Sequence, residues 1–182
     1  MKYLSRLILR IAGWKYEGKV PELKKFVVVV APHTSNWDYV LGELFYLSMG
    51  IRAKIMIKKE LFFFPLGFIL KSLGGVPVER QRKTDIVDRM AEEFQKNEKF
   101  ILTITPEGTR KRVTEWKRGF WRIAKAANVP ILPGYFDYKR RVVGIGEPFF
   151  PTEDEDADVR KIKLFFKDIA PKYPEKFSIG KV

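Results

Sequence analysis

Residues 25–38 read KFVVVVAPHTSNWD, and the fold turns on this stretch. Lys25 to Ala31 is an unbroken apolar run rich in valine. Such a run marks a strand buried on both faces, with helices packed on either side of its sheet. Pro32 ends the regularity, Ser35 and Asn36 are helix-capping residue types, and Asn36 to Met49 reads as a helix closed by Gly50. The same alternation continues outward. Ala53 to Ile57, Val76 to Glu79 and Phe100 to Thr105 read as strands, with Pro77 placing the second of these near an edge. Leu61 to Leu73 reads as a helix despite Pro65, and Gly74-Gly75 ends it. Thr84 is expected to cap a helix reaching about Asn97, and Trp116 to Asn128 reads as another. Pro130 to Phe136 and Arg141 to Ile145 read as strands joined through the turn Asp137-Tyr138-Lys139-Arg140. Thr152-x-x-Glu155 is a capping-box pattern opening a last helix.

These readings predict one α/β domain over residues 1–182, with a largely parallel or mixed central sheet and helices on both faces. Residues 1–15 are expected to form a short amphipathic helix, 25–150 the catalytic core and 152–170 the C-terminal helix. In the first segment Leu4, Leu7, Ile8 and Ile11 fall at helical spacing, beside a basic row of Lys2, Arg6 and Arg10. Such a helix either lies in a membrane interface or docks on the core.

Composition narrows the chemistry. The 182 residues hold 35 Lys and Arg against 22 Asp and Glu, a net charge of +13 that favours anionic partners. The absence of cysteine excludes disulfides, thiolate metal ligands and a cysteine nucleophile. With a single histidine, no metal site of the usual nitrogen or sulfur kind is expected, and no cofactor is called for. The longest uncharged apolar run, Leu61 to Leu70, is well short of the roughly 18–20 residues that span a bilayer. Its phenylalanines are open to three readings: facing a membrane, lining an acyl chain or filling the core.

Sites in such sheets gather beyond the carboxyl ends of strands. There stand His33, Arg80 and the turn Glu107-Gly108-Thr109-Arg110. His33 and Asp38 are five apart, about 500° on a continuous helix, and would not meet on one face. With His33 in the turn and Asp38 in the first helical turn, the carboxylate reaches back to one ring nitrogen and leaves the other as a base. No G-x-S-x-G is present, so the proton the base removes is expected to come from a substrate hydroxyl. The Gly-containing turn and Arg110 suit an anion.

Taken in order, His33-x4-Asp38, Gly75-x-Pro77-Val78-Glu79-Arg80, Pro106-Glu107-Gly108-Thr109-Arg110 and Val129-Pro130-Ile131-Leu132-Pro133 resemble the four motifs of the glycerolipid acyltransferases, the family of 1-acylglycerol-3-phosphate and lysophospholipid acyltransferases. The resemblance implies acyl transfer from acyl carrier protein or acyl-CoA to a lysophospholipid hydroxyl, in phospholipid biosynthesis, at the cytoplasmic face of a membrane as a peripheral or monotopic protein. It makes His33 the general base and Asp38 its orienting partner. Arg80, Glu107, Gly108, Thr109 and Arg110 would hold the acceptor's polar head, and Val129, Pro130 and Ile131 would contact the acyl chain. The chain departs from the pattern at Glu79, Thr105 and Lys111, and after the fourth motif, where Gly134-Tyr135-Phe136-Asp137-Tyr138 is bulkier and more polar than usual. Three alternatives stand beside this reading: a non-glycerol lysolipid as acceptor, a noncatalytic lipid-surface protein, and a nucleic-acid-binding module. No nucleic-acid motif supports the last, and nucleic acid is not an expected partner.

Overall fold

In the computed structural model, which describes residues 1–78 and 83–182, the chain runs α1 (Lys2–Ile11), β1 (Lys15–Glu17), β2 (Lys25–Val30), α2 (Trp37–Met49), β3 (Lys54–Lys58), α3 (Leu66–Ser72), β4 (Gly75–Val78), α4 (Lys83–Lys96), β5 (Phe100–Ile104), α5 (Gly119–Ala127), β6 (Ile131–Asp137), β7 (Val142–Ile145) and α6 (Glu155–Phe165). Seven strands make one sheet in the order β1-β7-β6-β2-β5-β3-β4. Every pairing is parallel except β6 with β7, which the Asp137–Arg140 turn joins as a hairpin.

The valine run is β2, hydrogen-bonded to β5 on one side and β6 on the other. Because side chains alternate across a strand, its two sets of residues serve two cores. Val27 and Val29 join Leu102 and Ile131 beneath Met90 and Phe94 of α4, Phe120 and Ile123 of α5, and Val159 and Ile162 of α6. Phe26, Val28 and Val30 join Leu132 and Phe136 beneath Leu41, Phe45 and Tyr46 of α2. Pro77 lies in β4, the edge strand, where its missing N–H costs no ladder bond.

Several boundaries differ from the sequence reading. Strand β1 was not anticipated. Its three residues are all exposed and carry no apolar alternation; it exists by pairing with β7 at the sheet edge. The expected helix from Leu61 is split into a 3-10 turn at Lys59–Leu61 and α3, because Pro65 lacks an N–H and disfavours helical geometry at Phe64. Helix α5 starts at Gly119, not Trp116. The Trp116 indole donates to the Ser178 carbonyl at 3.1 Å and Lys117 N to the Pro106 carbonyl at 2.8 Å, and both bonds tie this segment outside the helix. Thr84 lies within α4, which already includes Lys83. The cap of α6 is Asp154, whose Oδ1 accepts from Ala157 N at 2.9 Å. Thr152 instead uses its N–H and hydroxyl on Asp158 Oδ2, at 2.7 and 3.1 Å.

Helix α1 rests on α2 through Ser5, which is buried, and through Arg6, whose Nε donates to the Ser48 carbonyl at 3.0 Å. Its apolar row points away from the core: Leu4, Leu7 and Ile8 are exposed, and Ile11 is 77% exposed. Phe64 and Phe68 in the 61–73 segment are exposed at 91% and 77%. Among the described residues no helix is long and apolar enough to cross a membrane.

Replacing Leu102, fully buried in β5, with alanine should cost about 2–5 kcal/mol in urea unfolding. Leu7→Ala on the outward face of α1 should stay within about 0.5 kcal/mol.

Candidate active site

Strands β2 and β5 run side by side in the same direction, so the segments that leave their carboxyl ends meet. From β2 the chain passes Ala31 and Pro32 into His33-Thr34-Ser35-Asn36 before α2 begins. Asp38, in the first turn of α2, is 3% exposed and organises this turn. Its Oδ2 accepts Thr34 N and Ser35 N, both at 2.9 Å, and lies 3.2 Å from His33 Nδ1. Its Oδ1 accepts the Tyr138 hydroxyl at 2.6 Å. Asn36 holds the cap position without a side-chain cap bond, while Ser35 Oγ accepts from Trp37 N at 3.1 Å. The carboxylate therefore reaches back as the spacing requires, and it also gathers the turn's backbone.

With Nδ1 facing Asp38, the carboxylate favours the tautomer that carries its proton on that nitrogen and leaves Nε2 a lone pair. The side chain is 20% exposed, so part of the ring is open to a ligand. The arrangement can remove a proton from a hydroxyl and return it to a leaving group.

The second wall comes from β5. Glu107 Oε1 accepts from His33 N at 2.9 Å, across 74 residues of sequence. The Glu107 side chain is buried, and its Oε2 has no hydrogen-bond partner. Burial pushes this carboxyl up to about 7, against the lowering pull of the His33 N–H. Glu107 thus sits beneath the His33 turn, not on the open surface where a ligand's head would lie. Gly108 adopts φ +62°, where a side chain is strained, and a Cβ there would lie 3.0 Å from Lys117 Nζ. Beyond it Thr109 Oγ1 accepts from Lys111 N at 3.3 Å. Arg110 is exposed and pairs with no acid among the described residues.

Of the expected site residues, the structure brings His33, Asp38, Glu107, Gly108, Thr109 and Arg110 to one end of the sheet. Arg80 lies outside the described residues. Val129, Pro130 and Ile131 are not at this end. Register pairs Ile131 with Val27, near the start of β2, and all three are buried as core. Sequence reasoning missed Tyr138, for which the only signal was the bulky polar stretch after the fourth motif. Among the described residues no group of three His, Cys, Asp or Glu could hold a metal ion.

A parallel sheet that sets a histidine–aspartate pair against a Gly-Thr-Arg loop defines a class: the chain belongs to the acyltransferase family, whose model matches residues 14–137. It is similar to the 1-acyl-sn-glycerol-3-phosphate acyltransferase of Streptococcus pneumoniae (strain ATCC BAA-255 / R6), with 29% identity over 143 residues, 72% of this chain. The chain spans about half the length of that curated relative, 52% of it. The crystal structure of the 1-acyl-sn-glycerophosphate (LPA) acyltransferase PlsC from Thermotoga maritima has the same fold, with a TM-score of 0.65 over 91% of this chain and 75% of that one, at 19% identity.

The Glu107 carboxyl yields a pH prediction. Its folded value, about 7, is above its unfolded value, so its stabilisation is complete below about 4.5 and is lost as pH rises through 7. Between pH 5 and 8 the wild type should lose on the order of 2 kcal/mol more in urea unfolding than Glu107→Gln, which keeps an acceptor for His33 N. Burial also raises Glu43 to about 7, with the same sign, so the difference between the two proteins isolates Glu107.

Proposed function

We propose that this protein transfers a fatty acyl group from a thioester, carried by acyl carrier protein or CoA, to the hydroxyl of a lysophospholipid such as 1-acylglycerol-3-phosphate, as a step in phospholipid synthesis. The observation that carries the proposal is the His33 Nδ1 to Asp38 Oδ2 approach of 3.2 Å beside the Gly108-Thr109-Arg110 loop. Nε2 takes the proton of the acceptor hydroxyl as its oxygen attacks the thioester carbonyl. The C–S bond breaks, the thiolate takes the proton back from the imidazolium, and an ester and a free thiol leave. Asp38 holds the ring in the tautomer this needs and offsets the charge that forms on it. Arg110 supplies a planar guanidinium, without an acidic partner among the described residues, suited to the acceptor's phosphate, with Thr109 and Arg80 as further polar contacts.

The reading places the enzyme on a membrane surface, facing the cytoplasm, where both its acceptor and its product are amphiphiles. Support comes from the outward apolar row of α1, its basic flank, and the exposed Phe64 and Phe68. Trp37 and Val40, exposed on the first turn of α2, extend apolar surface to the edge of the His33 turn. An amphipathic helix of this kind lies in the interface without crossing it.

Thiol release from a palmitoyl-thioester, measured with a panel of lysophospholipids, tests the reaction. Acceptor-dependent release should fall by on the order of 10²–10⁴-fold in His33→Ala with the fold intact by circular dichroism. Release that persists in that variant overturns the mechanism. Flotation with anionic vesicles tests the surface. Leu7→Glu with Ile11→Glu should leave the protein in the bound fraction far less often than the wild type.

A further inference from the structure

We infer that Tyr138 is a positioning residue for the His33–Asp38 pair, fixing the charge and orientation of Asp38 from the side opposite the histidine. The inference rests on the acyl-transfer reading for its kinetic part alone.

Asp38 is nearly sealed from water, so each of its oxygens needs donors from the protein. The turn's own backbone and the imidazole all approach Oδ2. Among the described residues Oδ1 receives a single bond, the 2.6 Å one from the Tyr138 hydroxyl. Without it no donor among the described residues meets this buried anionic oxygen, and the carboxylate is anchored through Oδ2 alone.

Tyr138 is itself held at its backbone, its ring and its turn. Tyr138 N donates to the Ala170 carbonyl at 2.8 Å, and the ring stands edge-on to Trp14, with centroids 5.2 Å apart. The turn that carries it is closed by Asp137, which accepts from Arg140 N at 3.0 Å and from Arg140 Nε at 2.7 Å. Arg140 then reaches Glu17 of β1 at 3.1 Å. Burial and the neighbouring Asp38 carboxylate push the Tyr138 phenol well up, so it remains a donor throughout the working pH range.

The bond also sets how tightly the pair binds its proton. A phenol donating to Oδ1 draws charge away from the oxygen that faces His33. Removing it concentrates charge on the carboxylate, so the pair holds a proton more strongly. Among the described residues the other titratable groups are Glu107, from the loop after β5, which faces the pair, and Tyr173, which acts on Tyr138 and whose N donates to Thr34 Oγ1 at 3.3 Å.

The test uses Tyr138→Phe, which removes the hydroxyl alone. Tyr135→Phe is the control, because it deletes a 2.6 Å hydroxyl bond to Glu17 on the same strand as the turn but away from Asp38. The 182 residues hold one histidine, His33, so this chain labelled with nitrogen-15 in histidine gives one imidazole titration with no assignment problem. Tyr138→Phe should move that midpoint upward by about half a pH unit or more. It should also lower kcat about tenfold with KM within about twofold, and the acid limb of the rate profile should move with the midpoint. Tyr135→Phe should move neither. An unmoved midpoint or an unmoved kcat in Tyr138→Phe, or an equal effect in Tyr135→Phe, overturns the inference. The titration needs no substrate. Failure of the wild type to transfer acyl groups would therefore sink the functional reading, while the midpoint still decides whether Tyr138 acts on the pair.

Discussion

A carboxylate taken out of water must be met by hydrogen bonds, and Asp38 is the place where this requirement shapes the molecule. Two backbone N–H groups and a phenol answer it, with a ring nitrogen 3.2 Å away, and they come from two distant parts of the chain. Meeting the carboxylate's needs fixes the path of residues 33–35 and the tilt of the imidazole. It also fixes the place of the hairpin turn that follows β6. The geometry of the histidine–aspartate pair is here a by-product of solvating one buried charge with protein.

The sheet supplies the frame for that event. Because β2 is central and parallel to both neighbours, its carboxyl end shares a rim with that of β5, and Glu107 slips under the His33 turn. The two faces of β2 carry different loads. One packs against α4, α5 and α6 in the larger core, and the other seats α2, whose first turn carries Asp38. Packing on the α2 face therefore controls where the carboxylate lies relative to the strand end.

Much of this was legible in residue order. The valine run declares a two-sided strand, and the five-residue spacing of His33 and Asp38 makes sense only across a strand-to-helix turn. Gly108 announces a tight loop, and its left-handed backbone agrees. Other features were illegible because they depend on partners far away in sequence. Lys15–Glu17 is a strand only because β7 offers an edge. Glu107 looks like a surface acid in a polar loop until the fold lays the His33 N–H upon it. Val129 and Ile131 sit beside a motif-like pair of prolines, yet strand register sends them to the opposite end of the sheet. Tyr138 gives no local hint of its target 100 residues earlier.

The short edge strand β1 has a consequence for how the chain can be shortened. A cut placed just before the valine run would look harmless on a domain map. It would strip Trp14 from the Tyr138 ring and Glu17 from both Tyr135 and Arg140, and it would leave β7 with one side unpaired. Residues 14–17 are thus less an appendage than a keystone set into the far side of the arch.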